Sequence, residues 1–424
     1  MIAFKTHRQA ALVVLAVVLQ SVFVDSTQRH ALLHLAFIVS DGAFVVHATF
    51  MGMCPTPWES VRLLLRIGAT LSKTLARFVT RGCSTKFPNW SLRFELLHAV
   101  LHVCTETCGE RMVTQQHAPW IRAQSDVLGT VLGWFSCRRL HRRLEAVQFN
   151  VLEHVWLRNQ QPRQDSAKRL VVLYLHGGGF AILSPRLYTS LGAALASAIE
   201  DELAQLSGDS FTVDLLLGNY RKAPEFCFPT QPEDAVALYE GYLLQQQGLS
   251  PSQIILAGDS AGGGLVMSTL LRLRESQRKQ HLPVAAMLLA PAVDLSSDEP
   301  DAPDCFLARG MCRAFSAAYQ PHYGDPSKWG DASSAHCDLR GLPPVFLQTG
   351  RLDYLFQHAS RLAAKAKADG VTNWEVDVHD DMPHVFSIFP TSVLPYARVG
   401  VHKLALFAAT NFLKSASRAA RPAS

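Results

Sequence analysis

The sequence predicts an α/β fold with a mainly parallel central sheet flanked by helices. From about residue 148 onward, short runs rich in leucine or β-branched residues alternate with helical patterns. This alternation is typical of a parallel sheet that helices cover on both faces. The glycine-rich stretch GDSAGG, 258–263, joins one apolar run directly to a helical pattern, which is a second sign of this fold class.

The predicted strands and helices follow one another in regular order. The strand runs are VVLYL (171–175), VDLLLGNY (213–220), IILAG (254–258), AAMLLAP (285–291), VFLQTG (345–350) and WEVDVH (374–379). The helical patterns lie at 186–206, 231–247, 260–279, 355–369 and about 395–415. FNVLEHVWLRN, 149–159, is a candidate for one more strand ahead of the series. We therefore assign residues 148–424 to one α/β domain.

Residues 1–50 form a hydrophobic N-terminal segment. The run from Gln9 to Val24 carries no charge and follows Lys5 and Arg8. As a helix it would span roughly 24 Å, less than the roughly 30 Å of a bilayer core. Three interpretations remain open: a signal anchor, a cleaved signal peptide, and a hydrophobic helix packed on the protein. The first implies a membrane-associated protein anchored in the endoplasmic reticulum, and the others a secreted or a cytoplasmic one.

Residues 51–147 are predicted to form a helical cap or extension. In the stretch 60–82 the basic residues fall within about 100° of a helical wheel. They are Arg62, Arg66, Lys73, Arg77 and Arg81. One interpretation is a cap helix with a solvated basic face, and the other is a helix lying on an anionic membrane surface. We interpret RRLHRR, 138–143, as a solvated face.

Composition and cysteine spacing limit the classes of partner. A net charge of +5 over 424 residues is mild, so nucleic acid is not indicated. The nine cysteines are irregularly spaced without a zinc-type CxxC pair, and we interpret most of them as buried thiols. HAVLHVCTETC, 98–108, contains two histidines and two cysteines that would face opposite sides of a helix. No metal site is therefore predicted among His98, His102, Cys104 and Cys108.

Two glycine-rich stretches indicate a nucleophile and an oxyanion hole. In GDSAGG, a G-x-S-x-G turn between strand and helix would hold Ser260 exposed at the end of its strand. In LHGGGF, 175–180, consecutive glycines leave backbone N–H groups unblocked by side chains. We predict that the N–H groups of Gly177, Gly178 and Ala261 stabilise an oxyanion. Neither GxGxxG nor GxxxxGK[ST] is present, which argues against a phosphate-binding loop.

A nucleophilic serine needs a base, and the base needs an orienting carboxylate. The chain order nucleophile, acid, base, with the last two on loops after late strands, selects Asp353 and His384. Asp294 follows the strand before the one that should precede the acid, and His379 lies within its strand rather than in the loop after it. Four alternatives are therefore interpreted as structural: Asp294, His379, Asp380 and Asp381.

Five motifs resemble those of the hormone-sensitive-lipase-like α/β-hydrolases, a family that includes arylacetamide deacetylases and steryl acetyl hydrolases. In order they are HGGGF, NYRKAPEFCFPTQPEDA, AGDSAGG, GLPPVFLQTGRLD and MPHVF, within roughly residues 150 to 415. The resemblance implies an α/β-hydrolase fold, a triad of Ser260, Asp353 and His384, and an oxyanion hole built by the glycines after His176.

The sequence departs from the family pattern at three positions. Lys222 stands where leucine is usual, Gly264 where asparagine often follows, and Val385 where glycine commonly follows the histidine. The first 150 residues are also longer than the usual cap of the family. These departures leave the mechanism unchanged but weaken any transfer of substrate preference.

The sequence therefore predicts a serine hydrolase that cleaves carboxylic esters through an acyl-enzyme, without metal or cofactor. Its partners would be a small lipophilic or acetylated ester and, through the N-terminus, a membrane. Two alternatives stay open: a non-catalytic homologue that binds small molecules, and an acyltransferase or peptidase with the same triad. All three triad positions are filled, which favours the hydrolase.

Overall fold

The computed structural model describes residues 53–54, 56–160, 169–275, 279–296 and 298–419. The predicted hydrophobic segment 1–50, with its anchor, signal and packed-helix interpretations, lies outside the described residues. Within the described ranges no helix combines the length and the apolar character that a membrane span requires.

Eight strands form one sheet at the centre of the molecule. They are β1 (Arg142–Phe149), β2 (Leu152–Asn159), β3 (Arg169–Leu175), β4 (Thr212–Gly218), β5 (Ile254–Asp259), β6 (Ala285–Leu289), β7 (Val345–Gly350) and β8 (Trp374–His379). Their order is β1-β2-β4-β3-β5-β6-β7-β8. β2 pairs antiparallel with β1 and β4, and all other neighbours are parallel. The predicted, mainly parallel sheet is confirmed.

Helices cover both faces and one edge of the sheet. They are α1 (Pro57–Thr80), α2 (Leu92–Cys108), α3 (Ala118–Arg139), α4 (Thr189–Ser207), α5 (Thr230–Ala237), α6 (Ala261–Glu275), α7 (Arg309–Tyr319), α8 (Phe356–Ala368) and α9 (Ala397–Ala419). The π-helical segment Leu238–Gln246 continues α5. Residues of α5, α6 and α8 pack on one face of the sheet, and residues of α4 and α9 pack on the other.

The alternation of side chains along β3 shows how the sheet builds two cores. Val171 and Leu173 belong to the cluster under α6, whereas Leu170, Val172 and Tyr174 belong to the cluster under α4. Successive side chains of a strand point to opposite faces, so a strand covered on both sides is apolar throughout. Burial of each large aliphatic side chain contributes about 1.5–3 kcal/mol.

Two N-terminal strands extend the sheet: β2 confirms the candidate strand at 149–159, and β1 was not predicted. β1 and β2 join through Asn150 and Val151, whose φ angles of 47° and 57° suit a two-residue hairpin turn. β1 begins ahead of the boundary predicted at residue 148. Arg142 is buried and its guanidinium donates to Glu200 Oε2 at 2.5 Å and to the Val213 carbonyl at 2.8 Å. The interpretation of RRLHRR as a solvated face is therefore wrong at Arg142, because β1 carries this side chain into the protein.

A helical layer formed by α1, α2 and α7 covers the loops that follow β3 and β4. Leu63, Val103 and Phe315 from these helices form one cluster with Ala181 and Ala223 of the loops. Parallel strands carry their functional loops at their carboxyl ends. The helical layer therefore lies over the edge of the sheet where a site is expected.

A buried lysine lies in the loop after β4. Lys222 Nζ donates to the Tyr220 carbonyl at 3.2 Å and to Asn219 Oδ1, and lies 4.8 Å above the Tyr220 ring. Within the described residues no carboxylate forms an ion pair with it. Burial, and secondly the positive charge of Arg122, lower the pKa of Lys222 to about 7.

Lys222→Met is expected to stabilise the protein in acid and neutral solution and to lose this advantage in alkali. The pKa of Lys222 falls from 10.5 to about 7 on folding, so between these values the unfolded chain binds more protons. The free energy of unfolding of the unsubstituted protein therefore rises with pH between these two values. Below about pH 7 the folded protein bears the full cost of burying the charged ammonium group of Lys222. Urea unfolding at about pH 6 and about pH 10 measures the difference. The exposed Lys328→Met is the control, and an equal stability difference at both pH values would contradict the prediction.

Two helical glycines are expected to respond oppositely to alanine. Gly68 in α1 has nothing within 4 Å of an added Cβ, whereas a Cβ at Gly129 in α3 would lie 2.2 Å from the carbonyl carbon of Arg186. Gly68→Ala should raise the free energy of unfolding by about 0.5–1 kcal/mol, because alanine loses less backbone entropy on folding. Gly129→Ala should lower it by about 1–3 kcal/mol through overpacking. Urea denaturation of both variants measures this, and changes of the same sign would refute the packing argument.

Candidate active site

Ser260 stands at a sharp turn between β5 and α6. Its φ is 52°, in the left-handed region, and its N–H donates to the Leu289 carbonyl at 2.8 Å. Ala292 N donates to the Ser260 carbonyl at 2.8 Å. A Cβ at Gly262 would lie 1.9 Å from the Leu175 carbonyl oxygen, so only glycine lets β3 approach this turn. The glycines around the serine therefore serve close backbone packing as well as the turn.

Asp353 and His384 lie in direct contact on the loops after β7 and β8. His384 Nδ1 is 3.0 Å from Asp353 Oδ1 and 2.9 Å from Oδ2, and both side chains are buried. Leu355 N donates to Asp353 Oδ1 at 2.9 Å, which fixes the carboxylate. Because the carboxylate accepts, Nδ1 carries the proton and Nε2 is left as an acceptor.

Ser260 lies at the same edge of the sheet as this pair. β5, β6, β7 and β8 are parallel neighbours, so their carboxyl ends meet there. Among the described residues no hydrogen bond joins Ser260 Oγ to His384. Such bonds are often long in unliganded enzymes and shorten when substrate binds.

The glycine loop after β3 differs in one respect from the prediction. The Gly177 N–H donates to Asp259 Oδ1 at 2.9 Å, so it is not available to an oxyanion, and the donor role predicted for Gly177 is corrected. The N–H groups of Gly178, Gly179 and Ala261 have no acceptor among the described residues. Three unpaired amides therefore follow β3 and Ser260, with Gly179 in place of Gly177.

Sequence reasoning missed Asp259, although it stands inside GDSAGG. Besides Gly177 N–H, its carboxylate accepts the hydroxyls of Tyr174 at 3.0 Å and Tyr188 at 3.1 Å. Burial raises the pKa of Asp259 to about 6, against the effect of these hydrogen bonds. The available signal was an acid directly before Ser260, but the groups that donate to it lie far away in the sequence.

The rival acid and base have other partners. Asp294 accepts from His336 Nε2 at 2.9 Å and from Arg361 Nη1 at 3.0 Å. Although burial opposes it, hydrogen bonds from neighbouring side chains lower the pKa of Asp294 to about 2. His379 is the last residue of β8, and its Nε2 lies 2.7 Å from Asp377 Oδ2. Both side chains therefore have partners outside the Asp353–His384 pair.

The two aspartates before His384 hold the loop that carries it. Arg351 Nε donates to Asp380 Oδ1 at 2.6 Å. Asp381 accepts from both the backbone N and the Nδ2 of Asn89, each at 3.1 Å. The segment before α2 is therefore bonded directly to the histidine loop, and the predicted loop-shaping role of both acids agrees with these contacts.

The helix α2 also holds a second segment of the site wall, residues 304–306. His98 Nε2 lies 3.0 Å from the first carbonyl of this segment and His102 Nδ1 lies 2.9 Å from the second, while Thr105 Oγ1 donates to the third. Burial lowers the pKa of His98 to about 4, so its ring is neutral and donates through N–H. One face of α2 thus binds three successive carbonyl groups.

The four side chains weighed as metal ligands do not converge. The two histidines bind residues 304–306, whereas Cys104 and Cys108 approach Cys54 on another side of α2. Burial raises the pKa of Cys104 to about 11, so the thiol is protonated. Opposite faces of one helix explain the separation, as the sequence spacing predicts.

Residues 305 and 306 border the Asp353–His384 pair. The Cys305 Sγ is 3.9 Å from Asp353 Oδ1, and the centroid of the Phe306 ring is 5.9 Å from that of His384, edge to face. Burial raises the pKa of Cys305 to about 12, which rules it out as a thiolate nucleophile. The pair is therefore shielded on this side by apolar groups.

Five of the nine described non-glycine residues with positive φ lie on loops at the carboxyl edge of the sheet or directly after them. Phe180, Leu183, Ser260, Ala290 and Val385 have φ between 46° and 66°. Left-handed backbone costs about 1–2 kcal/mol for residues with a Cβ. Val385 is β-branched, and its φ of 46° explains why glycine commonly follows the histidine in related sequences. Such strain is typical of functional sites, where surrounding contacts enforce it.

Comparisons with known proteins agree with this geometry. Residues 172–388, slightly more than half of the chain, match a family described as the α/β-hydrolase fold. An acetyl-hydrolase of Streptomyces hygroscopicus is 34% identical over 260 residues, which cover 60% of this chain and 79% of that protein. Arylacetamide deacetylase-like 2 of Homo sapiens is 28% identical over 138 residues, 32% of each chain.

Solved structures give the same result. A crystal structure of an esterase from the bacterial hormone-sensitive lipase family is 28% identical to this chain, with a TM-score of 0.59. The match covers 76% of this chain and 99% of that one. The sheet order, the turn at Ser260 and the Asp353–His384 pair are thus accompanied by likeness in sequence and in structure. This chain belongs to the hormone-sensitive-lipase-like family of α/β-hydrolases.

Proposed function

We propose that Ser260, His384 and Asp353 are the catalytic triad of this carboxylic ester hydrolase. The observation that carries the proposal is the buried contact of His384 Nδ1 with both oxygens of Asp353, at the sheet edge that also carries Ser260. The carboxylate orients the ring and stabilises it when it becomes protonated. The imidazole is thereby prepared to act as the base for the serine.

The proposed reaction proceeds in two halves. Ser260 Oγ attacks the ester carbonyl carbon while its proton passes to His384 Nε2. The tetrahedral intermediate collapses, the bond to the alcohol oxygen breaks, and His384 Nε2 protonates the departing alcohol. Water then attacks the acyl-enzyme with the same proton transfers, releasing the acid and restoring the serine.

The proposed oxyanion hole consists of the N–H groups of Gly178, Gly179 and Ala261. These amides have no acceptor among the described residues, and they follow β3 and Ser260 in the sequence. Donors that are already in place when negative charge develops lower the barrier, and loss of one typically costs about 3 kcal/mol. Gly177 supports the hole indirectly, because its bond to Asp259 fixes the start of the glycine loop.

We further propose small lipophilic or acetylated esters as substrates, and with them a role in lipid metabolism. Two aromatic side chains support this: Phe306 beside His384, and Phe315, which contacts the position of Gly179. Apolar borders favour an apolar substrate. The name of the Streptomyces hygroscopicus relative, an acetyl-hydrolase, favours a short acyl group.

Ser260→Ala is expected to lower kcat for p-nitrophenyl acetate by about 10⁴-fold or more, because the nucleophile is lost. Asp353→Asn should lower it by about 10⁴-fold, because the ring then adopts the wrong tautomer. Initial rates with p-nitrophenyl esters of increasing acyl length measure both effects. A rate that rises steadily with acyl length would contradict the acetyl preference.

The matched control is His379→Gln, since His379 forms a comparable pair with Asp377 only a few residues before His384. Its rate should stay close to that of the original protein. Equal rates in Ser260→Ala and the original protein would refute the triad. A fluorophosphonate probe should label Ser260, whereas a non-catalytic binding protein would remain unlabelled. Ester products formed with added alcohols would indicate the acyltransferase instead.

We propose that residues 9–24 anchor the chain in the endoplasmic reticulum membrane. The uncharged run and the basic residues before it support this. The full chain expressed in cells should stay in the microsomal pellet after an alkaline carbonate wash, and a variant that lacks residues 9–24 should be released. Release of the full chain by the wash, or its recovery in processed form from the medium, would contradict the anchor.

A further inference from the structure

The helix α1 has one face that packs against the rest of the helical layer. Ser60 and Leu63 are buried, and Leu64 and Ile67 pack on the cluster that contains Ala181, directly after the HGGGF loop. The inner face of α1 therefore belongs to the same apolar cluster as the residue that follows the HGGGF loop.

The opposite face of α1 exposes large apolar side chains to solvent. Trp58 is 62% exposed, Leu65 67% and Val79 64%, and Val61 and Leu75 are exposed as well. On a wheel of 100° per residue these five fall on one side, away from Leu63. We name this stripe, with the basic residues beside it, the α1 outer surface. An apolar stripe along a 24-residue helix, about 36 Å long, is unusual for surface that faces only water.

Basic side chains border the stripe along one side. They are Arg62, Arg66, Lys73 and Arg77, all exposed. The Arg62 guanidinium lies 5.6 Å from the centre of the Trp58 ring, and Arg66 pairs with Glu106 at 3.0 Å. Within the described ranges Lys73 and Arg77 form no ion pair. The only acid of α1, Glu59, is neutralised by Arg111 at 2.6 Å.

We propose that the α1 outer surface binds an anionic lipid bilayer, with α1 lying in the plane of the interface. The apolar stripe would enter the boundary between headgroups and acyl chains, and the basic row would bind lipid phosphate and carboxylate groups. Charge complementarity favours this partner, since Lys73 and Arg77 form no ion pair within the described ranges and Glu59 is already paired with Arg111.

Binding in this orientation bears on the proposed function without including any of its catalytic residues. The inner face of α1 contacts the cluster that reaches Ala181, so the site would lie close to the lipid where lipophilic esters accumulate. Hydrolysis of a soluble ester does not require this surface. Failure of the triad and failure of the surface are therefore visible in different assays.

The rate of acetylation of Lys73 reports on the α1 outer surface itself. The test therefore does not depend on whether residues 9–24 anchor the chain in a membrane. The full chain is treated with a water-soluble acetylating reagent alone, with phosphatidylcholine vesicles, and with vesicles that also contain about 30% phosphatidylserine. We expect the anionic vesicles to slow acetylation of Lys73 about fivefold or more, and molar salt to restore the rate. The exposed Lys328 serves as the internal control and should be acetylated equally under all conditions. Peptide mass spectrometry measures both rates.

Paired substitutions test whether the apolar stripe causes the protection of Lys73 from acetylation. Leu65→Ser with Val79→Ser should abolish the protection of Lys73, whereas Leu206→Ser with Val376→Ser should leave it unchanged. Leu206 and Val376 are each 51% exposed and lie on α4 and β8, away from α1. Activity on p-nitrophenyl acetate reports folding, and Arg77→Gln, which removes only an exposed side chain, is expected to weaken the protection even if the serine pair fails to fold.

Three results would overturn the proposal. The first is an unchanged rate of acetylation of Lys73 with anionic vesicles. The second is equal protection by vesicles of phosphatidylcholine alone, which would exclude the basic row. The third is protection that depends on protein concentration without vesicles, which would mean that a second copy of the chain covers the surface.

Discussion

The buried carboxylate of Asp259 is the interaction on which the site depends. It ends β5 directly before Ser260 and accepts the N–H of Gly177 together with the hydroxyls of Tyr174 and Tyr188. A buried carboxylate without partners is strongly destabilising, so the acid and its donors hold one another in place. One group thereby joins the serine turn to the glycine loop. The same contact decides which amides remain unpaired, since it occupies Gly177 and leaves the next two glycines.

The helical layer completes the site from the other side. Its helix α2 binds the three carbonyls of 304–306, and Asn89 binds Asp381 in the histidine loop. These contacts position Phe306 beside His384 and hold the loop that carries this histidine. The N-terminal region is thus part of the architecture of the site, and its α1 presents a different, exposed surface to the surroundings. The helical layer therefore connects the site with the exposed surface of α1.

Local patterns in the sequence predicted the sheet well, because hydrophobic periodicity and the turn residues that bound each run decide where strands and helices form. β3 to β8 coincide with the predicted runs, and β7 and β8 do so at both ends, whereas α7, between β6 and β7, was not predicted. The hairpin that forms β1 was not predicted, because charged residues fill this edge strand and hide its alternation. The burial of Arg142 was missed for the same reason, since its partner Glu200 comes from α4.

The sequence by itself determined the order of the elements and the residue types at the ends of β5, β7 and β8: Ser260, Asp353 and His384. These depend on local periodicity and on chain order, both of which can be read along the chain. Only the tertiary structure decided how the amides, the walls and the exposed surface are arranged. Gly177 and Asp259 are 82 residues apart, and His98 and Asp304 are 206 apart. Such contacts form only when the sheet brings distant segments together, and no local pattern encodes them.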